Sequence, residues 1–324
     1  MTPAHRFEFP NGKQFAFTII DDTDDGTVEN LTPMYRLLEE LDMRATKTVW
    51  PMPCPEGSRT FFAGTTLEDP EYRAFVIDLA RRGFEITWHG ATMEPSLRER
   101  TIAGLERYRE IFGEYPRIHA NHASNRENLY WGAGRLDSTI LRGVLGRRDG
   151  FRAEFYGGHT PDSPYWWGDL SSTHFTYARN LTTTDIDTAR FNPSMPYRDP
   201  RRPLIPWWFS ASDAEDVNEF NALIAPEHQE RLERYGGFCV VATHFGKRFA
   251  KGGELNPITR ERLTALARRD GWFPSVGELL DWLRARRQDA GATDGRLPRS
   301  EWRRMQWRWG VDRALHTVRR RLGR

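Results

Sequence analysis

The chain has 324 residues, of which 38% are hydrophobic and 28% charged, a composition typical of a soluble globular protein with a sizeable core. No run approaches the roughly 18 apolar residues of a membrane-spanning helix and the first residues lack an apolar signal core, so the expected compartment is cytoplasmic. The net charge of +2 is uneven: residues 296–324 hold ten arginines against two acidic residues, a net +8 that leaves −6 elsewhere.

Hydrophobic periodicity predicts alternating strands and helices through the first part of the chain. Thr32 and Pro33 are typical of a helix cap and first turn. The predicted elements are, in order, strand 14–20, helix 32–41, strand 45–50, helix 70–82, strand 84–89, helix 96–112 and a fourth strand in "YPRIHANHAS". Repeated strand–helix units of this kind indicate a parallel sheet or barrel with helices outside.

The pattern is less regular over residues 127–221. One strand is expected in "THFTYARNL", and Ser212 or Asp213 could cap a helix that reaches Leu223. Regularity returns with helix 226–234, strand 237–243 and helices 259–269 and 275–286. We therefore predict an α/β barrel domain over residues 1–287 with an irregular insertion at about 127–221, followed by a linker and basic tail over 288–324.

Acidic and imidazole side chains follow the predicted strands. Asp21 and Asp22 come directly after the first strand, His89 after the third, His122 near the end of the fourth, and His244 after the late strand. Ligands in parallel strand–helix folds bind where the carboxyl ends of the strands converge. Carboxylates and imidazoles are the donor set of a borderline metal, so the pattern predicts a divalent cation, with zinc the best match.

The segments "IIDDTDDG", "ITWHGATM", "YPRIHANH" and "VATHFG" occur in the order of the motifs of the polysaccharide deacetylases, carbohydrate esterase family four. Over roughly residues 14–286 the chain resembles this family, whose fold is a distorted (β/α) barrel of about seven strands. Its motifs are an Asp-Asp pair, a His-x-x-x-His pair, an Arg-Pro strand and a Leu-x-His. Here the Arg-Pro pattern is not reproduced, and Arg117 is offset.

The resemblance implies a role for each matching residue. Asp21 would be the general base that activates water, and Asp22 a metal ligand. His89 would be the second ligand, and His244 the general acid that protonates the leaving group.

Two assignments stay open at this level. A second register of the aspartate motif would assign the catalytic and metal-binding roles to Asp24 and Asp25, although the turn composition of that pair favours the first register.

Met93 occupies the position of the expected second histidine, and a thioether is a poor zinc ligand beside oxygen and nitrogen donors. Either His119 or His122 could replace it; since they have opposite parity on a strand, we expect one to point inward and favour His122.

Aromatic residues in loops predict a carbohydrate substrate. Flat indole faces stack on sugar rings while their N–H groups donate hydrogen bonds, which makes Trp50, Trp166 and Trp207 candidate substrate contacts. Asn121, beside the fourth strand, is a fourth candidate.

The tail "EWRRMQWRWGVDRALHTVRRRLGR" has helical periodicity, with arginines opposite a row of apolar residues: Trp307, Val311, Ala314, Leu315, Val318 and Leu322. Such a basic amphipathic helix can lie peripherally on an anionic membrane. The alternative is that it docks on the barrel or on a partner. Nucleic acid is disfavoured as a partner, because no other segment is basic.

Three functions fit the sequence. The leading hypothesis is a metal-dependent hydrolase that removes an acyl group, N-acetyl above all, from an amino sugar or glycan precursor. The second is a glycan-binding or scaffold protein that kept the barrel and lost the metal. The third, a glycosidase with two carboxylates, lacks an evident second acid after the later strands.

Overall fold

A computed structural model describes residues 7–58, 64–123, 125–146, 152–289 and 294–321. Its centre is a closed barrel of seven parallel strands in chain order, in which the last strand pairs with the first. This confirms the predicted fold class. The barrel strands are β1 (Phe15–Asp21), β2 (Ala45–Val49), β3 (Glu85–Trp88), β4 (Ile118–His119), β5 (Tyr177–Thr183), β6 (Trp207–Asp213) and β7 (Phe238–Thr243).

Helices surround the barrel, as the repeated strand–helix pattern predicts. Within the described residues these are α1 (Val28–Glu40), α2 (Pro70–Arg81), α3 (Arg98–Phe112), α4 (Thr139–Leu145), α5 (Gly168–His174), α6 (Thr188–Phe191), α7 (Val217–Leu223), α8 (Pro226–Tyr235), α9 (Pro257–Ala267), α10 (Val276–Asp289) and α11 (Arg299–Arg321). The predicted start of the first helix was wrong. Thr27 caps α1 through a reciprocal capping box with Asn30, and Thr32 lies inside the helix.

Side chains on β1 alternate between two apolar cores. Phe15, Phe17 and Ile19 face the outer helices, whereas Ala16 and Ile20 face the barrel interior. Because strand side chains alternate with a period of two, Asp21 continues the outer row and the following Asp22 continues the inner row. The two aspartates therefore lie in different environments.

Two barrel strands, β5 and β6, lie in the stretch that was expected to be irregular. The prediction of a strand in "THFTYARNL" is confirmed by β5. The helix expected after Ser212 or Asp213 begins later, because those residues end β6 and Asp216 caps α7 instead. The surrounding loops carry little regular structure, which explains why sequence periodicity is weak there.

The amino ends of the strands are closed by other elements. Four residues of α10 pack against the inner core of the barrel, namely Val276, Leu279, Leu280 and Leu283. A short strand, β10 (Gly271–Trp272), pairs with the start of β1 at this end. In the segment that follows the carboxyl end of β7, a hairpin of β8 (Ala250–Lys251) and β9 (Glu254–Leu255) packs on α1. Within the described residues, apolar side chains thus fill the barrel interior toward the amino ends of the strands.

The C-terminal helix α11 packs against β5 like the other outer helices. Trp302, Met305 and Trp309 are buried in the outer core. Of the predicted linker, residues 290–293 lie outside the described residues, as does Leu322 of the tail. No helix in the described ranges has the length and apolar content needed to cross a membrane.

Candidate metal centre and catalytic cleft

Three imidazoles converge at the carboxyl ends of the barrel strands. His89 follows β3, His122 follows β4 and His244 follows β7, and all three continue the inward-facing parity of their strands. Their Nε2 atoms lie 3.3, 3.5 and 3.7 Å, respectively, from carboxylate oxygens of Asp24. Three distant segments therefore meet around one carboxylate, in the turn that follows β1.

Fixed acceptors determine the tautomer of each ring. His89 Nδ1 lies 2.8 Å from the Ala120 carbonyl oxygen, and His244 Nδ1 lies 2.7 Å from the Glu215 carbonyl oxygen. A carbonyl can only accept, so in both rings Nδ1–H is the donor. A neutral imidazole with Nδ1–H carries its lone pair on Nε2. In the neutral form of each ring, a lone pair is thus directed toward Asp24.

The same argument applies to His122. Its Nδ1 lies 3.0 Å from Oδ1 of Asn125, whose amide nitrogen donates to the Thr92 and Glu94 carbonyls and to Glu127. The amide orientation is therefore fixed, and His122 Nδ1–H must donate. Burial raises the pKa of Glu127 to about 7, against the opposing effect of its hydrogen bond from the Ser96 backbone N–H.

Three lone pairs directed at a carboxylate repel it unless a cation or protons intervene. One oxygen of Asp24, one nitrogen of His89 and one of His122 lie within 4.8 Å of one another, close enough to share an ion. The buried Oδ1 of Asp24 has no well-aligned hydrogen bond among the described residues. Burial raises the pKa of Asp24, but where His122 and His89 bind protons in place of a cation, the hydrogen bonds they donate outweigh this and lower the pKa. These two nitrogens and one oxygen fit zinc.

Gly246 permits the close approach of the turn. A side chain at this position would collide with the backbone of Asp24 and Asp25. The "HFG" segment after β7 therefore both supplies His244 and leaves room for the turn that presents Asp24.

Asp22 lies in the cleft but already has a cationic partner. Arg179 on β5 donates to both of its carboxylate oxygens, at 3.1 and 2.6 Å. Burial alone would raise the pKa of Asp22, but the Arg179 guanidinium and the neighbouring His89 lower it. Asp22 Oδ1 is 3.7 Å from His89, but on the Nδ1 side, where the ring is bonded to Ala120. The geometry thus favours Asp24 over Asp22 as the carboxylate ligand.

Asp21 faces the outer helices, and its carboxylate is buried away from both solvent and the cleft. Its Oδ1 accepts a hydrogen bond from the Phe245 backbone N–H, and its Oδ2 accepts one from the Tyr35 hydroxyl and lies 3.1 Å from Lys47 Nζ. The side chains of Asp21 and Lys47 are both fully buried. The predicted role of Asp21 as general base is inconsistent with this geometry, because neither oxygen can reach the cleft.

Two other predicted residues have structural contacts. His119 points outward against Trp167 and Phe175, and its Nε2–H donates to Asn121 Oδ1 at 2.8 Å. Asn121 also accepts the Leu129 backbone N–H. His119 therefore does not face the cleft, as strand parity predicts, and Asn121 is a buried support rather than a substrate contact.

The three tryptophans lie in different places. Trp50 is 1% exposed, and its ring centroid lies 5.9 Å from that of His89 and 5.7 Å from that of His122. It therefore packs against the side of the histidine cluster and has no exposed face on which a sugar could stack. Trp207 begins β6 and hence lies at the closed end of the barrel. Trp166 precedes α5, and its carbonyl accepts a hydrogen bond from Arg98. The described contacts connect neither Trp166 nor Trp207 with the imidazoles.

The sequence analysis did not identify Arg179 as a site residue. The arginine that it considered in relation to the family motif was Arg117. Arg117 at the closed end pairs with Asp281 on the surface. An available signal was a lone arginine late in a predicted strand, at an inward position shared with Tyr177. Lys47 within the apolar strand "ATKTV" was a similar signal for a buried partner of Asp21.

Neither protein-family models nor curated proteins give a match to this sequence. Solved structures do. A protein described as a polysaccharide deacetylase from Mycobacterium smegmatis aligns at 15% identity and a TM-score of 0.52, over 89% of this chain and 96% of that one. Puue allantoinase gives 11% identity and a TM-score of 0.53, over 86% and 93%.

A third structure is described as a polysaccharide deacetylase from Pseudomonas aeruginosa PAO1, with 11% identity, a TM-score of 0.51, and coverage of 86% and 93%. At such identities the likeness concerns the fold and not the chemistry. The chain thus has a divergent polysaccharide deacetylase-like fold.

Proposed function

We propose that this protein is a metal-dependent hydrolase that removes an acyl group, N-acetyl in the first instance, from an amino sugar or glycan. The observation that carries the proposal is the convergence of three Nε2 lone pairs on Asp24, each fixed by an Nδ1–H donated to an acceptor behind it. Fixing the distal nitrogen of an imidazole in this way is characteristic of metal ligands.

Asp24, His89 and His122 would hold the ion, and zinc suits their donor atoms. This assignment departs from the sequence prediction only in replacing Asp22 by Asp24. Bound there, zinc would polarise the acyl carbonyl and lower the pKa of a water molecule.

Asp22 is proposed as the general base in place of Asp21. Arg179 holds the carboxylate ionised and in one orientation, within the cleft and beside His89. It would take a proton from the attacking water.

His244 would be the general acid: its imidazolium form would keep Nδ1–H on the Glu215 carbonyl and deliver the Nε2 proton to the leaving amine as the C–N bond breaks. Its Nδ1–H is anchored on the Glu215 carbonyl, so Nε2 is the atom that faces the cleft. The ring is partly accessible, with its side chain 16% exposed, as a group that contacts substrate must be.

Release of acetate from N-acetylated oligosaccharides by the zinc-loaded protein tests the proposal. We expect acetate without new reducing ends, and its loss in Asp24→Asn but not in Asp25→Asn, an exposed neighbour in the same turn. New reducing ends would indicate a glycosidase instead. Failure of the zinc-loaded protein to release acetate while still binding the oligosaccharides would favour a non-catalytic glycan-binding protein.

A further inference from the structure

The outward face of α11 is apolar where the outer helix of a barrel is normally polar. Its inner face is buried, as Trp302, Met305 and Trp309 show. The opposite face exposes roughly half of each of four large apolar side chains: Trp307 at 51%, Val311 at 54%, Leu315 at 53% and Val318 at 52%. These positions recur at three- and four-residue intervals, so they form one stripe about 16 Å long.

The charges on α11 are sorted between its two faces. Its acidic residues, Glu301 and Asp312, are bonded inward to Ser194 and Thr184. Arg313 is also turned inward, where Nη2 lies 2.6 Å from Asp213 Oδ2. Exposed arginines flank the apolar stripe, namely Arg299, Arg303, Arg304 and Arg308. In the described part of α11, the outward face therefore carries positive charge without acidic side chains.

A basic cavity of about 220 Å³ lies beside the first half of α11. Three guanidinium groups, of Arg190, Arg304 and Arg308, line it together with a single carboxylate, Glu301. Burial lowers the pKa of Arg308, and the charges of Arg304 and Arg190 lower it further. Asp185, 3.5 Å from Arg190, opposes this shift, and an anion such as a phosphate group would offset the remaining positive charge.

A second helix extends the exposed apolar surface. Leu141 of α4 lies next to Gly310 of α11, which shows that the two helices are in contact. The adjacent Ile140 and Val144 are 63% and 62% exposed. Exposed apolar residues of this size, clustered on neighbouring helices, mark an interaction surface.

We propose that the outward face of α11, the apolar stripe with its flanking arginines, binds the surface of an anionic lipid bilayer. An interfacial helix buries its apolar face in the lipid while arginines contact the head-group phosphates, which accounts for both parts of this face. Nucleic acid would account for the arginines but not for the stripe. Docking on the barrel and contact with a membrane are therefore compatible in α11, because one face of the helix packs on the barrel and the opposite face is exposed to solvent.

The placement of α11 has a consequence for the cleft. Arg313 and Asp312 contact Asp213 and Thr184, which lie at the carboxyl ends of β6 and β5. The mouth of the cleft lies at this same end of the barrel. Membrane contact would thus hold the cleft close to the lipid surface, where it could reach glycans attached to lipids. Bilayer binding itself does not depend on catalysis.

Flotation of the full chain with vesicles tests the proposal without an activity readout. We expect the protein to float with vesicles of phosphatidylcholine mixed with phosphatidylglycerol, and not with phosphatidylcholine alone. Val311→Asp/Leu315→Asp should weaken binding about tenfold or more, because it places two charges in the buried face. The matched control, Leu97→Asp/Ile258→Asp, alters two apolar residues that are 48% and 47% exposed elsewhere and should bind normally.

Reversal of charge provides a second variant. Arg303→Glu/Arg304→Glu should weaken binding to the mixed vesicles, and salt should weaken binding of the unmodified protein. Absence of binding to mixed vesicles would overturn the proposal, as would equal binding by Val311→Asp/Leu315→Asp. A dimer in sedimentation velocity that this double variant dissolves would assign the face to a second copy of the chain instead.

Discussion

Asp21 and Asp24 are three residues apart in one motif, yet the protein treats their charges in opposite ways. Asp21 is fully buried against Lys47 and Tyr35. Asp24 faces three imidazole nitrogens, and the nearest side-chain ammonium, that of Lys247, is 4.0 Å away. The comparison teaches that the chain supplies its own buried cation to Asp21 but surrounds Asp24 mainly with imidazoles, which is where we propose that a metal ion binds.

Asp22 lies between these extremes. Its partner is a protein cation, Arg179, but it remains at the cleft. One motif therefore contains a structural acid, a proposed base and a proposed metal ligand, and the counter-charge of each distinguishes them. Substitution of each acid should have a different consequence.

The largest effect is expected for Asp24→Asn. Loss of the charged ligand should reduce zinc affinity by more than the 10–100-fold typical of outer-shell partners, and activity should fall below detection. Zinc content and acetate release measure this. Asp25→Asn, at an exposed position with φ of 57° that asparagine tolerates, should leave both unchanged. Equal zinc retention by the two variants would contradict the comparison.

Asp22→Asn should lower kcat by about 10²–10⁴, the range for removal of a general base, with zinc content preserved. The split between activity and metal content separates a base from a ligand. Arg179→Lys, which keeps the charge but loses the bidentate bond, should give a smaller loss. Zinc lost together with activity in Asp22→Asn would return Asp22 to the metal shell.

Asp21→Asn should affect stability rather than chemistry. It leaves the Lys47 ammonium buried without its partner, which costs about 3–5 kcal/mol in the free energy of unfolding. Denaturant unfolding measures the loss. Removal of both charges in Asp21→Asn/Lys47→Met should recover much of it, because the asparagine side chain keeps a hydrogen-bond acceptor for Phe245 or Tyr35, and zinc content per folded molecule should stay constant in both. A stable Asp21→Asn protein that no longer hydrolyses substrate would contradict a purely structural role.

At neutral pH the smallest effect is expected for His119, the buried imidazole outside the cleft. Burial lowers its pKa from 6.5 to about 3, so the unfolded chain binds a proton that the folded chain excludes. This group therefore contributes stability that is complete above about pH 6.5 and is lost as the pH falls toward 3, by at most about 1.4 kcal/mol per pH unit. His119→Phe should flatten that part of the stability profile. An unchanged slope would show that His119 is not excluded from protonation.

Much of the fold could be predicted from the sequence, because strand length, helix periodicity and punctuation are local properties. The parity rule alone separates His122 from His119, and applied to β1 it separates Asp22 from Asp21. The strand β6 was missed because Ser212 and Asp213, which end it, also have the composition of a helix cap.

The details of the site depend on contacts between distant segments, which no local pattern reveals. Arg179 reaches Asp22 across the barrel, and Lys47 reaches Asp21 from the neighbouring strand. Turn composition made Asp24 look like an ordinary surface residue, whereas the approach of three imidazoles gives it a different environment. Likewise, the sequence showed that α11 is amphipathic but not which face would be covered.

The most direct test is anomalous X-ray scattering at the zinc edge from crystals of the zinc-loaded protein. We predict one peak bonded to a carboxylate oxygen of Asp24 and to Nε2 of His89 and His122, at about 2.0–2.2 Å from each. A peak bonded to Asp22 with Asp24 free, or no peak between these three side chains at saturating zinc, would contradict the proposed centre.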